Sequence, residues 1–128
     1  MGDYGVPFKA LMEVLDCEII LPPPTTKKTL ELGTKHSPEF VCIPFKYTLG
    51  NYIEALEKGA NFLLQAGGGC RFGYYAEVQK TILDSLGHDY EFYQIAENLN
   101  MWNILKDFKS INPKLSNYQI VMAFLLAY

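Results

Sequence analysis

Short apolar runs alternate along this chain with stretches in which apolar residues recur every three or four positions. Residues 17–21, 61–66 and 90–95 have the length and the apolar, β-branched or aromatic content of buried strands. Helical stripes separate these runs, and the glycines at positions 59 and 87 mark helix ends. Because parallel strands need long crossover connections, the alternation predicts an α/β protein with a parallel sheet and helices on both faces.

The stripes also predict where each helix lies. A first helix is expected over residues 7–16. A second helix, capped by Thr25 or Thr26, is expected to run through Leu32 and end at Gly33. Residues 35–44 contain two prolines and are interpreted as a loop with at most one helical turn and with Cys42 near its end. Further helices are expected from about Leu49 to Gly59, over 75–86, over 101–108 and over 116–128, the last of them with Ser116 as its N-cap.

Length and composition limit the domain organisation. A chain of 128 residues with 49% hydrophobic residues is expected to form one core. We predict a Rossmann-like or flavodoxin-like three-layer domain of three to four strands over residues 1–97. A helical extension over 98–128 should pack on it. A fourth strand is hard to place and the last helix is apolar without a polar tail, so the chain is expected to be part of a longer protein.

Several classes of function are disfavoured by the composition. The net charge of −3 gives no electrostatic footprint for nucleic acid. No apolar run approaches the roughly 20 residues that span a bilayer, and the first residues do not have the pattern of a secretory signal. A cytoplasmic setting is therefore expected. Cys17, Cys42 and Cys70 are an odd number of thiols, which favours free, reactive or ligating cysteines over disulfides.

The most informative segment for chemistry is Gly67-Gly68-Gly69-Cys70-Arg71, which follows a predicted strand and precedes a predicted helix. Ligands of open α/β sheets bind at this edge, and glycines let the backbone approach them closely. Gly67, Gly68, Gly69 and Arg71 are therefore candidate cofactor-binding residues. The helix N-terminus and Arg71 would lower the pKa of Cys70 below about 8.5. The alternative is a tight turn in which the cysteine serves as a small hydrophobic residue.

Cys42 is the expected partner of Cys70, because residues that follow neighbouring parallel strands can meet at one edge of a sheet. Spacing alone does not establish this, and a cysteine in an apolar stretch is often a core residue. Cys17 is interpreted as a packing residue. The sequence contains no Cys-x-x-Cys and no Walker motif, and neither histidine carries a cue that places it beside a thiol. Catalytic residues therefore stay unknown.

Four segments resemble the 2-hydroxyacyl-CoA dehydratase and dehydratase-activator-related proteins of anaerobic bacteria. They are GVP at 5–7, LDCEIILPPPT at 15–25, CIPFK at 42–46 and GGCRFGY at 68–74, and the resemblance covers residues 5–96. In that superfamily, cysteines from separate loops of Rossmann-like domains hold a [4Fe-4S] cluster, and an ATP-dependent activator delivers an electron to it. The resemblance implies that Cys42 and Cys70 are metal ligands, with the remaining ligands outside this chain.

The leading hypothesis is therefore a domain of a dehydratase- or activase-related protein that contributes cysteines to a [4Fe-4S] electron-transfer site. Its partners would be another domain or subunit of such a complex, or a second copy of the chain. The chain alone is not expected to be catalytic, although its parent would be a lyase or the activase. The alternative is a non-catalytic α/β binding domain with free thiols and an anion-binding glycine loop. A thiol enzyme using Cys70 as its nucleophile is a third hypothesis.

Overall fold

The computed structural model describes most of the chain in three long stretches. These are residues 24–66, 74–95 and 101–127, together with Lys9, Met12, Glu13, Asp16, Glu18 and Ile20. The chain divides into two compact units, one over Ile20–Ile95 and the other formed by Met1–Ile19 with Ala96–Tyr128. Within the three long stretches there are five helices and two strands, so the chain is a mixed helix and strand protein with a parallel sheet.

The Ile20–Ile95 unit contains three helices and both strands. Their order along the chain is α1 (Lys27–His36), α2 (Ile43–Glu57), β1 (Phe62–Ala66), α3 (Tyr75–Ser85) and β2 (Glu91–Ile95). The strands pair in parallel, with Phe62 opposite Glu91 and Ala66 opposite Ile95. The helix between them provides the crossover that the sequence predicts. The two described strands form a smaller sheet than the expected three to four.

The predicted strand at residues 17–21 is not present at its described positions. Glu18 and Ile20 lie in neither a helix nor a strand, and the other three residues are outside the described part. Three prolines follow directly at positions 22–24, and proline has no N–H to donate to a sheet ladder. The first predicted helix is partly described, since Lys9, Met12 and Glu13 are helical.

Helix α1 begins where the sequence predicts but continues past its predicted end. Thr26 is the N-cap, and its hydroxyl accepts a hydrogen bond from the Thr29 backbone N–H at 3.3 Å. The helix was expected to stop at Gly33, yet that glycine lies buried inside it. A Cβ at position 33 would overlap the backbone carbonyl oxygen of Lys46 and lie 2.6 Å from its carbonyl carbon. Gly33 is therefore a point of close approach between α1 and α2.

A second glycine makes the same kind of contact from the other helix. Gly50 of α2 is buried, and a Cβ there would overlap the carbonyl oxygen of Thr29 and lie 2.9 Å from its carbonyl carbon. Beside the Gly50 contact, the buried Thr29 hydroxyl donates a hydrogen bond to the Glu54 carboxyl group at 2.9 Å. At Gly33 and Gly50, therefore, a glycine of one helix packs directly against the backbone of the other. The Thr29–Glu54 hydrogen bond adds a buried polar contact between the two helices.

Helix α2 begins earlier than predicted. Residues 35–44 were expected to form a loop, but the helix starts at Ile43 and has Pro44 in its first turn. Proline is tolerated there because the N–H groups of the first turn have no partner within the helix. The helix ends at Glu57, and Gly59 has a φ of +93°, as the predicted glycine stop requires. The new start makes Cys42 the N-cap residue.

The core of this unit is formed mainly by α2. Its buried members, with those of β1 and α3, are Phe45, Leu49, Ile53, Ala55, Leu56, Leu63 and Leu83. Helix α3 is also fixed at its far end, where the Tyr90 hydroxyl donates to the Asp84 carboxylate at 2.8 Å. Gly87 after α3 has a φ of +76°, which confirms the predicted helix stop. The C-terminal part of α3 is thus anchored to the residue that precedes β2.

The second unit is helical over its longest described stretch. It contains α4 (Met101–Ile111) and α5 (Asn117–Ala127). Ser116 forms the predicted cap: its hydroxyl accepts from the Gln119 N–H at 3.2 Å, and Gln119 accepts from the Ser116 N–H at 2.9 Å. Phe108 and Ile120 are among its fully buried side chains. None of the helices in the described part is long and apolar enough to cross a bilayer.

Candidate functional site

Cys42 is the described residue with the most reactive chemistry, and it lies at the N-terminus of α2. Its backbone is extended (φ −69°, ψ 158°), and its carbonyl oxygen accepts a hydrogen bond from the Lys46 N–H at 3.3 Å. The side chain is exposed to solvent. It is therefore not the buried core residue that a cysteine in an apolar stretch often is. A helix N-terminus favours negative charge, which in this position means the thiolate.

Tyr75 lies against this thiol. Its hydroxyl oxygen is 3.4 Å from the Cys42 sulfur, a hydrogen-bonding distance for sulfur. Tyr75 is the first residue of α3, so the contact joins the beginnings of two helices. The tyrosine ring also packs edge-on against Phe45, with ring centroids 4.9 Å apart and planes at 70°. The hydroxyl is thus presented to Cys42 by a ring that is itself packed.

Gln79 adds a second contact between α3 and the first turn of α2. It lies one helical turn after Tyr75 and is fully buried. Its side-chain N–H donates to the Phe45 carbonyl oxygen at 3.4 Å, while its own carbonyl oxygen has no partner among the described residues. Two successive turns of α3 therefore contact the turn of α2 that begins at Cys42.

The pKa of the Cys42 thiol is lowered from its ordinary value. The largest cause is the hydrogen bond with the Tyr75 hydroxyl, and the second is the backbone N–H of Phe45 in the first helical turn. Slight burial acts in the opposite direction. A greater fraction of this thiol is consequently ionised near neutral pH than of an unperturbed cysteine. The thiolate is the form that binds metals and attacks electrophiles.

Large apolar side chains next to the thiol in sequence are exposed. Phe40 is 77% exposed, Ile43 54% and Tyr74 70%, and these residues flank Cys42 or Tyr75 along the chain. They account for half of the exposed large hydrophobic side chains in the described residues.

The other predicted site residues lie outside the described part of the chain. These are Cys70, Arg71 and the glycines at 67–69, and Cys17, interpreted as a packing residue, lies outside it as well. Their flanks are described: β1 ends at Ala66, and α3 begins at Tyr75. The proposed pairing of Cys42 with Cys70 stays a prediction. Across the residues that are described, no group of three or more histidine, cysteine, aspartate or glutamate side chains could hold a metal ion.

Sequence reasoning missed Tyr75 as a functional candidate. It was assigned only to the apolar stripe of α3, which it also joins through its contact with Phe45. The available signal was its position as the first residue of the helix that follows the cysteine-containing segment. Residues at the start of such a helix face the edge of the sheet where ligands bind.

Comparison of the chain with protein-family models, with curated proteins and with solved structures finds no match in any of the three. The resemblance to the dehydratase family therefore stays a prediction carried by the four segments quoted above. Function has to be inferred from the chemistry around Cys42.

Proposed function

We propose that this chain is an α/β domain that supplies Cys42 and Cys70 as thiolate ligands to a [4Fe-4S] cluster. The cluster would belong to a larger protein or complex related to the 2-hydroxyacyl-CoA dehydratases and their activators. The observation that carries the proposal is the exposed Cys42 thiol, whose pKa is lowered by a hydrogen bond from the helix that follows the Cys70 segment.

Chain connectivity supports a shared site. Cys70 precedes Tyr75 by five residues, so their Cα atoms are separated by at most about 18 Å even in a fully extended chain. The Tyr75 side chain itself reaches Cys42. The same segment leaves the carboxyl end of β1, the end of a parallel strand at which α/β proteins bind ligands. Chain connectivity therefore allows the two thiols to reach one site.

The donor chemistry of Cys42 fits an iron–sulfur cluster. Such clusters are held by cysteine thiolates, and Cys42 is exposed, with the pKa of its thiol lowered by the Tyr75 hydrogen bond. The described residues contribute this one thiolate, so Cys70 and ligands from a partner domain or subunit would complete the set. When bound, the cluster would supply one-electron transfer. The chain's own contribution is to hold a thiolate at a fixed position, and the lyase or activase chemistry would belong to the assembled parent.

The fold proposed with this function is the three-layer Rossmann-like domain. The parallel β1–β2 pair and its helical crossover support it, because a parallel sheet is normally covered by helices on both faces. Two strands alone make a marginal sheet, so further strands are expected beside them. A cytoplasmic location is proposed because free ligating thiols need a reducing compartment.

A non-catalytic anion-binding domain with free thiols is the second candidate. One observation favours it: the first residues of α2 and α3 meet through the Cys42–Tyr75 contact. Helix N-termini carry unpaired N–H groups and a partial positive charge, and two of them together would suit a phosphate or carboxylate. Coenzyme A carries such phosphates and is the probe for this alternative.

Anaerobic reconstitution with iron and sulfide distinguishes these candidates. We expect the full chain to bind a substoichiometric, oxygen-sensitive cluster, measured by iron and sulfide content and visible absorbance. Cys42→Ser and Cys70→Ser should each reduce the bound iron, whereas the matched Cys17→Ser control should retain it.

Two results would overturn the cluster proposal. One is iron binding no greater than that of the Cys42→Ser, Cys70→Ser double variant. The other is a stable, stoichiometric cluster that neither single variant affects. Calorimetric binding of coenzyme A by the iron-free chain, combined with the first result, would support the anion-binding candidate instead.

A further inference from the structure

We infer that the exposed face of α4 binds the surface of an anionic membrane through Trp102, Lys106 and Lys109, a set that we call the α4 stripe. The inference goes beyond the proposed cluster site and does not depend on it, because every residue that carries it belongs to the helical unit.

The α4 stripe is the solvent-facing side of an amphipathic helix. Trp102 is 76% exposed, and Lys106 and Lys109 are exposed as well. These residues stand at i, i+4 and i+7, so they lie within about 60° of one another around the helix. Phe108, by contrast, is 1% exposed and marks the buried side. A large aromatic ring is therefore presented to solvent beside two cationic side chains.

The charge of this face is positive. Lys114, in the connection to α5, is exposed and adds a third cation next to the stripe in sequence. No described residue forms an ion pair with Lys106, Lys109 or Lys114. Asp107, the acidic residue of this helix, directly follows Lys106 and so lies about 100° around the helix from it.

The net charge of −3 does not cancel this local charge. At physiological ionic strength the Debye length is about 8 Å, so a surface that approaches α4 senses chiefly the charges of that face. The electrostatic complement of the α4 stripe is accordingly a negatively charged surface.

The residue types favour lipid over protein as that surface. Tryptophan is enriched at membrane–water interfaces, and the anionic cytoplasmic leaflet attracts lysine. Protein–protein interfaces also favour tryptophan but are depleted in lysine. Helix α4 has 11 residues and is about 16 Å long, roughly half the thickness of the hydrocarbon core, so it would lie along the membrane surface.

The fluorescence of Trp102 provides the first test. It is the single tryptophan of the chain, so its emission reports directly from the α4 stripe. The full chain is titrated with vesicles of equal parts phosphatidylcholine and phosphatidylserine, and with vesicles of phosphatidylcholine alone. We expect a blue shift and quenching by brominated lipid with the anionic vesicles only, and the loss of both in high salt. Unchanged emission with anionic vesicles, or an equal change with neutral ones, would overturn the inference.

Charge variants provide the second test, measured by co-sedimentation with the anionic vesicles. The Lys106→Gln, Lys109→Gln double variant should bind about 30-fold more weakly, since each lysine at an anionic surface contributes about fivefold. The matched control is Lys27→Gln, Lys28→Gln, which removes two exposed lysines from α1 and should bind like wild type. Far-UV circular dichroism checks that the helices are retained. Equal binding by wild type and the α4 double variant, or an equal loss in the control, contradicts a role for this face.

The aromatic contribution and the class of partner are tested separately. Trp102→Ala should weaken vesicle binding by about tenfold, whereas Tyr74→Ala, which removes another exposed aromatic ring, should not weaken it. Polyglutamate and a thymidine oligonucleotide are added at the same concentration of negative charge as the anionic vesicles. We expect neither to shift the Trp102 emission, and a shift as large as that caused by the vesicles would assign the face to an acidic protein or a nucleic acid instead.

Discussion

Substituting Gly33 by alanine should destabilise the protein, although the same change stabilises most helices. In an exposed helix interior, alanine is favoured over glycine by about 0.8–1.0 kcal/mol. At position 33 the new Cβ would overlap the Lys46 carbonyl oxygen and lie 3.1 Å from the Lys46 Cα. These are backbone atoms of α2, so no side-chain rotation can relieve the overlap and the two helices must move apart.

The expected size follows from three contributions. Overpacking of this kind costs about 1–3 kcal/mol. Separation of the helices also stretches the 2.9 Å hydrogen bond from Thr29 to Glu54, and an unpaired buried acceptor costs about 1–3 kcal/mol. The alanine helix preference offsets about 1 kcal/mol of this total. We therefore expect Gly33→Ala to lower the free energy of unfolding by about 1–5 kcal/mol.

Urea denaturation followed by far-UV circular dichroism measures this change. The matched control is Thr34→Ala, the next residue of the same helix, whose side chain is exposed. It should be neutral or stabilise by a few tenths of a kcal/mol. Hydrogen exchange of the α1 and α2 amides locates the effect within the Ile20–Ile95 unit. If Gly33→Ala is as stable as wild type, the close backbone contact between α1 and α2 is wrong.

Three further predictions address separate features. Thr29→Val should lower the free energy of unfolding, measured by urea denaturation, by about 1–3 kcal/mol, because it leaves the buried Glu54 carboxyl oxygen without its donor. The control Thr34→Val, on the exposed face of the same helix, should lower it by less than about 0.5 kcal/mol. Ser116→Ala removes the N-cap of α5 and should cost about 1 kcal/mol, seen as faster hydrogen exchange in the first turn of that helix. Because the pKa of Cys42 is lowered, its thiolate forms at lower pH in the folded chain than in the chain unfolded in urea. The rate of iodoacetamide labelling of Cys42, followed by mass spectrometry, should therefore reach half its maximum at lower pH in the folded chain. Coincident profiles, or a folded profile at higher pH, would contradict that expectation.

Much of the secondary structure could be predicted because local sequence determines it. The glycines at 59 and 87 adopt the positive φ values that end helices, and Ser116 makes the cap that its hydroxyl suggests. Gly33 has the same local signature as a helix stop but lies inside a helix. What distinguishes it is the Lys46 backbone against which it packs, and that contact depends on a residue thirteen positions away.

The start of α2 was mispredicted for a related reason. Pro44 ends a helix when it lies in the interior, but in the first turn it costs no hydrogen bond. The sequence alone does not show whether Pro44 lies in the interior or in the first turn of a helix. The packing decides it, because the buried residues Phe45 and Leu49 extend the apolar face of α2 back into its first turn. Cys42 was identified as a candidate in sequence, whereas its contact with Tyr75 arises only from the packing of α3 on α2.

The contacts that the sequence did not predict are also those that fix the position of the Cys42 thiol. Lys46, four residues after Cys42, is the residue that the Gly33 backbone approaches from α1. Phe45, three residues after it, receives the contacts from Tyr75 and Gln79 of α3. The first turn of α2 is thus held by one helix through its Lys46 carbonyl and by another through Phe45. An exposed thiol on a turn fixed by two helices is already positioned before any ligand binds, which is what a metal ligand or an anion site requires of its scaffold.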